Sequence, residues 1–358
     1  MNAKDIKKNI NYVKNNKVQI LVRAVLSAIV VLAFLLVFFL FDGLTFFIPP
    51  TVVTESKDCD LEVNFIDIGQ GDASLVRFPN DKLMLIDTGD SSESDSLVSY
   101  LDEYLSLHNL NKIDYLVLTH PDADHVGGTK ALAENFEIEI AYRPKYFSAS
   151  EEGLYQNDYK VSSSQTYDNA ISSLYSNQVV INFSESGISF NEGGAEVEFL
   201  APISESYSNT NNYSAVLKSS YEGKSFLFTG DAESLVEREL IASGADLDVD
   251  VLKVSHHGSS SGTSQEFLDL TTPLYACISV GADNSYGHPD SDVVNRLTAS
   301  GSEVYMTSTS GSFAIGLTSG NLEVYFVSTS PIDFTIVIVV AGVLLILIWG
   351  IKLPKSKK

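Results

Sequence analysis

This sequence has little cysteine and, away from its ends, little positive charge. Its 358 residues include two cysteines, Cys59 and Cys277, which excludes a disulfide-stapled scaffold and a cysteine-rich zinc module. Residues 42–333 hold 13 basic and 45 acidic residues, a net charge of −32. Nucleic-acid binding by counterion release needs clustered Lys and Arg, so a general nucleic-acid cradle is excluded, although a local basic patch is not. We therefore expect no tight, nonspecific DNA binding.

Both ends of the chain carry long apolar runs. A helix needs roughly 20 apolar residues to cross a bilayer core of about 30 Å. We predict one transmembrane helix over residues 20–41 and another over 332–351, with basic tails over 1–19 and 352–358 and a linker over 42–59. A cleaved signal peptide is the alternative for the first run, but no small-x-small cleavage pattern follows it, which favours an anchor.

The charges that flank the two apolar runs predict an orientation. Lys and Arg accumulate on the cytoplasmic side of membrane helices, and both outer tails are basic while both inner flanks are not. We therefore expect both termini in the cytoplasm and residues 42–333 outside the plasma membrane. The bilayer is then a partner of the protein through its two helices.

The middle of the chain, residues 60–327, has the pattern of one alternating α/β domain. Short β-rich runs such as 61–68, 83–87 and 226–229 alternate with helical stretches such as 96–108 and 232–242. This alternation predicts a layered α/β sandwich. Residues 146–176 are rich in Ser, Tyr, Asn and Asp, and we predict a polar insertion or flexible loop there.

The strongest chemical signal lies at a predicted strand-to-helix turn. His120, Asp122, Asp124 and His125 fall within six residues after the strand that ends near residue 118. Histidine nitrogens and aspartate oxygens are ligands for zinc and similar divalent ions. The alternative is a polar turn in which Asp122 or Asp124 caps the next helix, but a cap needs only one carboxylate and no histidine.

Three further turns place histidines or a carboxylate at strand ends. Asp231 follows the apolar strand 226–229, although taken alone it is better explained as a helix N-cap. His256 and His257 follow the strand 249–254. On an extended backbone neighbouring side chains point in opposite directions, so we expect one histidine at a metal and the other at substrate or behind a ligand. His288 lies in a fourth turn, whereas His108 is assigned to a surface or packing role.

These residues together resemble the metallo-β-lactamase superfamily, and most closely the hydrolase domain of ComEC-type DNA-uptake proteins. The similarity covers roughly residues 60–327, and the ordered set of motifs is far more specific than any one of them. The motifs are His120-x-Asp122-x-Asp124-His125, Asp231, Asp67-Ile68-Gly69-Gln70-Gly71-Asp72-Ala73, Leu85-Ile86-Asp87-Thr88-Gly89, Asn211-Asn212-Tyr213-Ser214, Lys253-Val254-Ser255-His256-His257-Gly258-Ser259 and Gly287-His288-Pro289.

The resemblance implies an αββα four-layer sandwich with one or two divalent ions between the sheets. It assigns His120 and Asp122 to one ion, Asp124 and His125 to the other, and Asp231 to a bridge. His256 or His257 completes a shell, and Asp87 supports the site without ligating. The implied ion is zinc, with manganese as its rival because Asp122 replaces the histidine that is commonest in the superfamily.

The sequence departs from the family in two ways. No histidine occurs between His125 and His256, where the superfamily often has a ligand, and only Asn211 or Asn212 could approach that position. ComEC-type proteins also carry a many-helix channel, which two spans cannot form. DNA transport is therefore not part of the expectation.

The chemistry expected is metal-assisted hydrolysis of an anionic phosphodiester, in nucleic acid or in a cell-envelope polymer. A divalent ion lowers the pKa of bound water from about 15.7 towards 7, which supplies hydroxide at neutral pH. The catalytic residues we predict are Asp124, His257 and His288, the last acting on the leaving oxygen. The alternative is a non-enzymatic, membrane-tethered binding module with a degenerate metal site, which the missing middle histidine would favour.

Overall fold

The computed structural model describes residues 25–33, 59–151 and 160–326. From residue 59 onwards the described residues belong to one compact unit. Its strands are β1 (Leu61–Phe65), β2 (Ser74–Arg77), β3 (Leu83–Ile86), β4 (Lys112–Val117), β5 (Glu137–Arg143), β6 (Tyr146–Phe147), β7 (Lys160–Val161), β8 (Val180–Phe183), β9 (Ser189–Glu192), β10 (Ala195–Ala201), β11 (Val216–Tyr221), β12 (Lys224–Phe228), β13 (Val251–Lys253), β14 (Tyr275–Ile278), β15 (Glu303–Met306), β16 (Phe313–Thr318) and β17 (Asn321–Phe326). Its helices are α1 (Ser94–His108), α2 (Ala123–Val126), α3 (Thr129–Asn135), α4 (Gln165–Ser176), α5 (Ser234–Ser243), α6 (Gln265–Thr271), α7 (Ser291–Ala299) and α8 (Thr307–Ser310).

Two mixed sheets form the centre of this unit. One has eight strands in the order β17-β16-β1-β2-β3-β4-β5-β8, and the other has seven in the order β15-β14-β13-β12-β11-β10-β9. In each sheet an antiparallel part continues into a parallel part, β3-β4-β5-β8 in the first and β12-β13-β14-β15 in the second. Helices connect the parallel strands, as crossovers between parallel neighbours require.

Alternation along the strands separates two apolar cores. Met84 and Ile86 of β3 share a buried cluster with Phe226 and Phe228 of β12, which lies between the sheets. Leu85, which points to the other face of β3, instead joins a cluster that includes helix residues. The expected αββα four-layer arrangement is thereby confirmed.

The segment 146–176, which we predicted to be a polar insertion or loop, is partly regular. The prediction was wrong over Gln165–Ser176, which forms helix α4. Ser164 caps this helix by accepting a hydrogen bond from the Tyr167 backbone N–H at 3.4 Å, and Tyr167, Ile171 and Leu174 are buried on one face. The apolar stripe is narrow and lies among many Ser and Asn residues, which hid the helical period. Residues 152–159 lie outside the described residues.

The two predicted membrane segments fall largely outside the described residues. Residues 25–33 of the first segment are helical, and the second segment is not described. Within the described part of the chain, no helix has the length and apolar content needed to cross a membrane. Cys59 and Cys277 are both buried and free, and Cys277 lies in β14.

Candidate metal centre

The predicted site residues come from both sheets and meet at one edge of the sandwich. Asp87 follows β3 and His120 follows β4 in the first sheet, while Asp231 follows β12 and His257 follows β13 in the second. β3 and β4 are parallel neighbours, so their carboxyl ends lie at one edge of the first sheet. β12 and β13 are parallel neighbours too, so their carboxyl ends lie at one edge of the second sheet. The fold therefore brings together side chains that are more than a hundred residues apart.

Asp231 is the centre of this group. Its Oδ1 lies 3.2 Å from His125 Nε2, and its Oδ2 lies 3.8 Å from His120 Nε2. The same Oδ2 lies 3.7 Å from Nε2 of His256 and 3.7 Å from Nε2 of His257. Four imidazoles thus direct the same ring nitrogen towards one carboxylate, and this carboxylate does not cap a helix, since helix α5 has Glu233 at its N-cap.

Asp87 holds His125 from behind. Asp87 Oδ2 lies 2.8 Å from His125 Nδ1, and the same carboxylate accepts hydrogen bonds from the backbone N–H and the hydroxyl of Thr119 at 2.7 and 2.6 Å. A carboxylate on Nδ1 fixes the ring so that Nε2 faces Asp231. This geometry agrees with the supporting, non-ligating role that the resemblance implied for Asp87.

The two neighbouring histidines do not point in opposite directions, and that expectation was wrong. His256 and His257 have φ angles of 49° and 53°, so both residues are in the left-handed region rather than on extended backbone. Two consecutive non-glycine residues in this region are sterically unfavourable and are found mainly where function demands them. Here the tight turn brings both imidazoles to the same side, facing Asp231.

The surroundings of the two imidazoles assign them different roles. His257 Nδ1 lies 2.9 Å from the Ser279 carbonyl oxygen, which can only accept, so Nδ1 carries the proton and Nε2 faces Asp124 Oδ2 at 3.2 Å. His257 is buried, whereas the His256 side chain is 23% exposed. His257 therefore has the arrangement of a ligand, and His256 lies at the open side of the site.

His120 and Asp122 form the other side of the group. His120 is fully buried, and its Nε2 lies 3.7 Å from Asp122 Oδ2. The Asp122 side chain is 40% exposed and accepts a hydrogen bond from the Thr210 hydroxyl at 3.3 Å. Asn211 contacts His256 Nδ1 at 3.3 Å rather than completing a shell around His120.

Asn212 belongs to the frame of the site rather than to its centre. Its Nδ2 donates to Glu233 Oε2 at 3.0 Å, and its Oδ1 accepts from the Glu233 backbone N–H at 3.2 Å. Both ends of the amide are therefore used to hold the turn that follows Asp231. The part of the site near His120 and Asp122 therefore has fewer side chains that could bind a metal ion than the part near Asp124 and His257.

The nitrogen and oxygen atoms of this group are suitable ligands for a divalent ion. His120 Nε2, His125 Nε2 and Asp231 Oδ1 are buried without a hydrogen-bond partner, which is costly for polar atoms unless something else binds them. Ligand atoms at 2.0–2.2 Å from a tetrahedral zinc lie about 3.3 to 3.6 Å apart. The 3.2 Å His257–Asp124, 3.2 Å His125–Asp231 and 3.7 Å His257–Asp231 separations agree with such a shell.

Sequence reasoning missed a buried ion pair below this shell. Lys253 Nζ pairs with Asp72 Oδ2, and the two side chains are 3% and 5% exposed. Asp72 also lies 3.6 Å from His257 Nδ1, and its backbone N–H donates to the Asp124 carbonyl oxygen at 3.1 Å. Both residues stood within the quoted motifs, but only the fold shows that they pair across the two sheets.

Charges in the site are strongly coupled. Burial lowers the pKa of His120 to about 3, and the neighbouring His125 adds to that effect. Burial also opposes a proton on His257, but the carboxylates of Asp231 and Asp72 outweigh it and raise its pKa to about 10. Burial disfavours a charge on Asp231, yet His125 and His257 hold its pKa well below the usual range. Without an ion, His257 keeps a proton that a metal would displace.

The remaining predicted site residue, His288, lies at the rim. Its ring is 5.5 Å from that of His256, measured between centroids, and the angle between the rings is 67°. It is therefore outside the group around Asp231 but within reach of a ligand bound there. His108 packs against Tyr104 at 4.3 Å between ring centroids, in agreement with its predicted packing role.

Comparison with known proteins agrees with this geometry. Residues 66–282 match the family described as Metallo-beta-lactamase superfamily. The chain is 30% identical over 263 residues to ComE operon protein 3 of Bacillus subtilis, an alignment that covers 70% of this chain and 32% of that protein. It is 29% identical over 277 residues to Competence protein ComA of Neisseria gonorrhoeae, covering 76% of this chain and 34% of that one.

The chain thus spans about a third of the length of the curated relatives it matches. Among solved structures, the Zn(2+)-bound PqqB from Methylobacterium extorquens is 12% identical, with a TM-score of 0.42. That similarity covers 68% of this chain and 97% of PqqB.

Proposed function

The chain belongs to the metallo-β-lactamase superfamily, and from this premise we propose that it is a metal-dependent hydrolase of phosphodiesters. The observation that carries the proposal is the Asp231 carboxylate facing four imidazole Nε2 atoms, with His120 Nε2 and His125 Nε2 buried and unpartnered. A site without function has no physical reason to keep such desolvated donors together.

Two overlapping sets of side chains would hold the ions. Asp124, His125, His257 and Asp231 form the more complete set, and His120 and Asp122 share Asp231 in the other. Zinc suits the imidazole-rich set, while the additional carboxylate of Asp122 makes manganese the rival. A divalent ion bound there would lower the pKa of a bound water and polarise a phosphoryl oxygen.

The protein side chains around this centre have separate tasks. Asp124 belongs to the ligand set, and its Oδ2 lies 3.2 Å from His257 Nε2, so the two side chains would hold the same ion. The partly exposed His256 and the rim residue His288 are placed to donate a hydrogen bond or a proton to the departing alkoxide. Burial lowers the pKa of His288, and His256 and His257 add to this, so its ring is a stronger acid once protonated by solvent.

The test is metal content together with hydrolysis of bis(p-nitrophenyl) phosphate. The wild-type protein should retain zinc or manganese and cleave the ester, while Asp231→Asn and Asp124→Ala should lose both metal and activity. Asp102→Asn, on the exposed face of α1, is the matched control and should change neither. Circular dichroism confirms that each variant is folded.

Two results would contradict the proposal in different ways. A wild-type protein that retains no divalent ion would remove the metal centre. A protein that binds ions but cleaves no phosphodiester would leave the non-enzymatic binding module as the better description.

We also propose that the domain is held outside the plasma membrane by the two apolar segments. Support comes from the sequence alone: two uncharged runs near the ends, basic outer flanks and a strongly acidic middle. The names of the relatives, a competence protein among them, add nucleic acid as a candidate substrate beside a cell-envelope polymer.

A further inference from the structure

An exposed aromatic ring stands at the rim of the candidate metal centre. Tyr286 is 69% exposed, and its ring stacks on His288 with 5.9 Å between centroids and 11° between planes. His288 in turn lies 5.5 Å from His256, which faces Asp231. The two nearly parallel rings therefore lead from the solvent to the place where a scissile phosphate would sit.

The loop that carries Tyr286 is fixed by its own hydrogen bonds. Asn284 Nδ2 donates to the carbonyl oxygens of Gly281 and His288 at 2.8 and 2.7 Å. Asn284 Oδ1 accepts from the backbone N–H groups of Tyr286 and His288 at 3.2 and 3.1 Å. A single amide thus closes the loop on both sides and fixes the backbone from which the Tyr286 ring projects.

The loop is also tied to the turn that carries the histidines. The Asp290 backbone N–H donates to the Gly258 carbonyl oxygen at 2.8 Å. Pro289 packs so closely on Gly258 that a Cβ added there would lie 2.6 Å from the proline Cβ. The backbone of the Tyr286 loop is therefore held at a fixed position relative to the histidine turn, as a positioned binding surface requires.

The segment that carries the histidine turn and the Tyr286 loop has no basic side chain apart from its histidines. Residues 254–295 contain no Lys or Arg. The cavity next to the loop, about 470 Å³, is lined by the carboxylates of Asp67, Glu93 and Asp283. Within residues 254–295 no Lys or Arg is available to bind a backbone phosphate, so an uncharged contact is what this segment offers beside its histidines.

We propose that Tyr286 is a stacking platform for a nucleobase, so that the substrate class is a nucleotide-bearing phosphodiester with its base on this ring. The inference rests on the proposed function and deepens it. Stacking of a base on an aromatic side chain contributes about 1 to 3 kcal/mol, does not depend on charge and tolerates any base. An acidic domain can therefore hold a nucleotide next to its metal centre without binding long polyanions tightly.

The first experiment measures binding, with thymidine 5′-monophosphate and ribose 5-phosphate as ligands of the zinc-loaded protein. Tyr286→Ala should weaken binding of the thymidine nucleotide about 5- to 150-fold, which corresponds to 1 to 3 kcal/mol, and change binding of the base-free sugar phosphate less than 2-fold. Tyr286→Phe keeps the ring and should rescue the loss. The dissociation constant of the nucleotide should also change little between 50 and 200 mM salt.

The second experiment measures hydrolysis of thymidine 5′-(p-nitrophenyl) phosphate and methyl p-nitrophenyl phosphate, which share a leaving group. Tyr286→Ala should raise KM for the thymidine ester alone and leave kcat within about 2-fold. If Tyr286→Ala impairs hydrolysis of both esters to the same extent, or of neither, the inference is overturned. This is also the result expected for an envelope-polymer substrate. If the wild-type protein cleaves neither ester yet needs Tyr286 to bind the nucleotide, the proposed function fails and the stacking site stands.

Discussion

The buried pair of Lys253 and Asp72 offers the sharpest test of how the two sheets are joined. We expect Lys253→Met, which keeps the length of the side chain and removes its charge, to leave the Asp72 carboxylate buried without its lysine, with the His257 imidazole at 3.6 Å as a weaker, longer contact. Removing one member of such a pair costs about 3 to 5 kcal/mol. For a domain of this size each kcal/mol lowers the melting temperature by about 2 to 4 °C, so the melting temperature should fall by about 6 to 20 °C.

The assay is thermal and urea unfolding of the chelator-treated protein, so that metal binding does not contribute. Lys130→Met is the matched control, because Lys130 pairs with Glu134 at 3.8 Å and both side chains are about 60% exposed. Exposed pairs contribute less than about 1 kcal/mol. The double variant with Asp72→Asn and Lys253→Met should regain most of the lost stability. Equal destabilisation by Lys253→Met and Lys130→Met would refute the reasoning.

Three further predictions concern pH, backbone packing and topology. In the chelated protein the pKa of His257 is raised to about 10, so its proton stabilises the fold fully below about pH 6.5, and this contribution is lost as pH rises through about 10. The denaturation midpoint should therefore fall over that range. His257→Gln should make the midpoint depend less on pH. Gly71→Ala places a Cβ 2.4 Å from the Asp124 carbonyl oxygen and should weaken zinc affinity about 10-fold or more by calorimetry, whereas Gly187→Ala, with open space around it, should not. Protease added to intact cells should cleave within residues 42–333, and full protection would contradict the proposed orientation.

The ligand group around Asp231 could be predicted because its chemistry is local. The candidate ligands lie in the turns, or in the short helix α2, that follow apolar strands, and polar side chains at such ends have few packing reasons to be there. The family resemblance, now confirmed, supplied the order in which these ends meet. That His120, His125, His256 and His257 all face Asp231 is a property of the fold, although the ion itself stays a prediction.

Other features could not be predicted because they depend on contacts that are distant in sequence or on backbone angles. The pairing of Lys253 with Asp72 joins residues 181 positions apart, one in β13 and the other in the loop between β1 and β2. His256 and His257 have left-handed backbone angles, which non-glycine residues rarely adopt. An extended backbone was therefore the natural expectation from the sequence. Helix α4 was missed because its buried apolar residues, Tyr167, Ala170, Ile171 and Leu174, lie among many Ser and Asn residues.

The assembly of one ion shell from two sheets has a consequence for the protein before it meets any substrate. An ion that binds only the folded shell adds its binding free energy to the cohesion between the sheets, about 4.1 kcal/mol when the free ion is at a thousand times its dissociation constant. The concentration of free ion would then set how much this binding adds to the free energy of unfolding. Under the proposed function, a molecule without the ion would lack both its hydrolytic activity and this added stability, so activity and resistance to proteases would depend on the same ion.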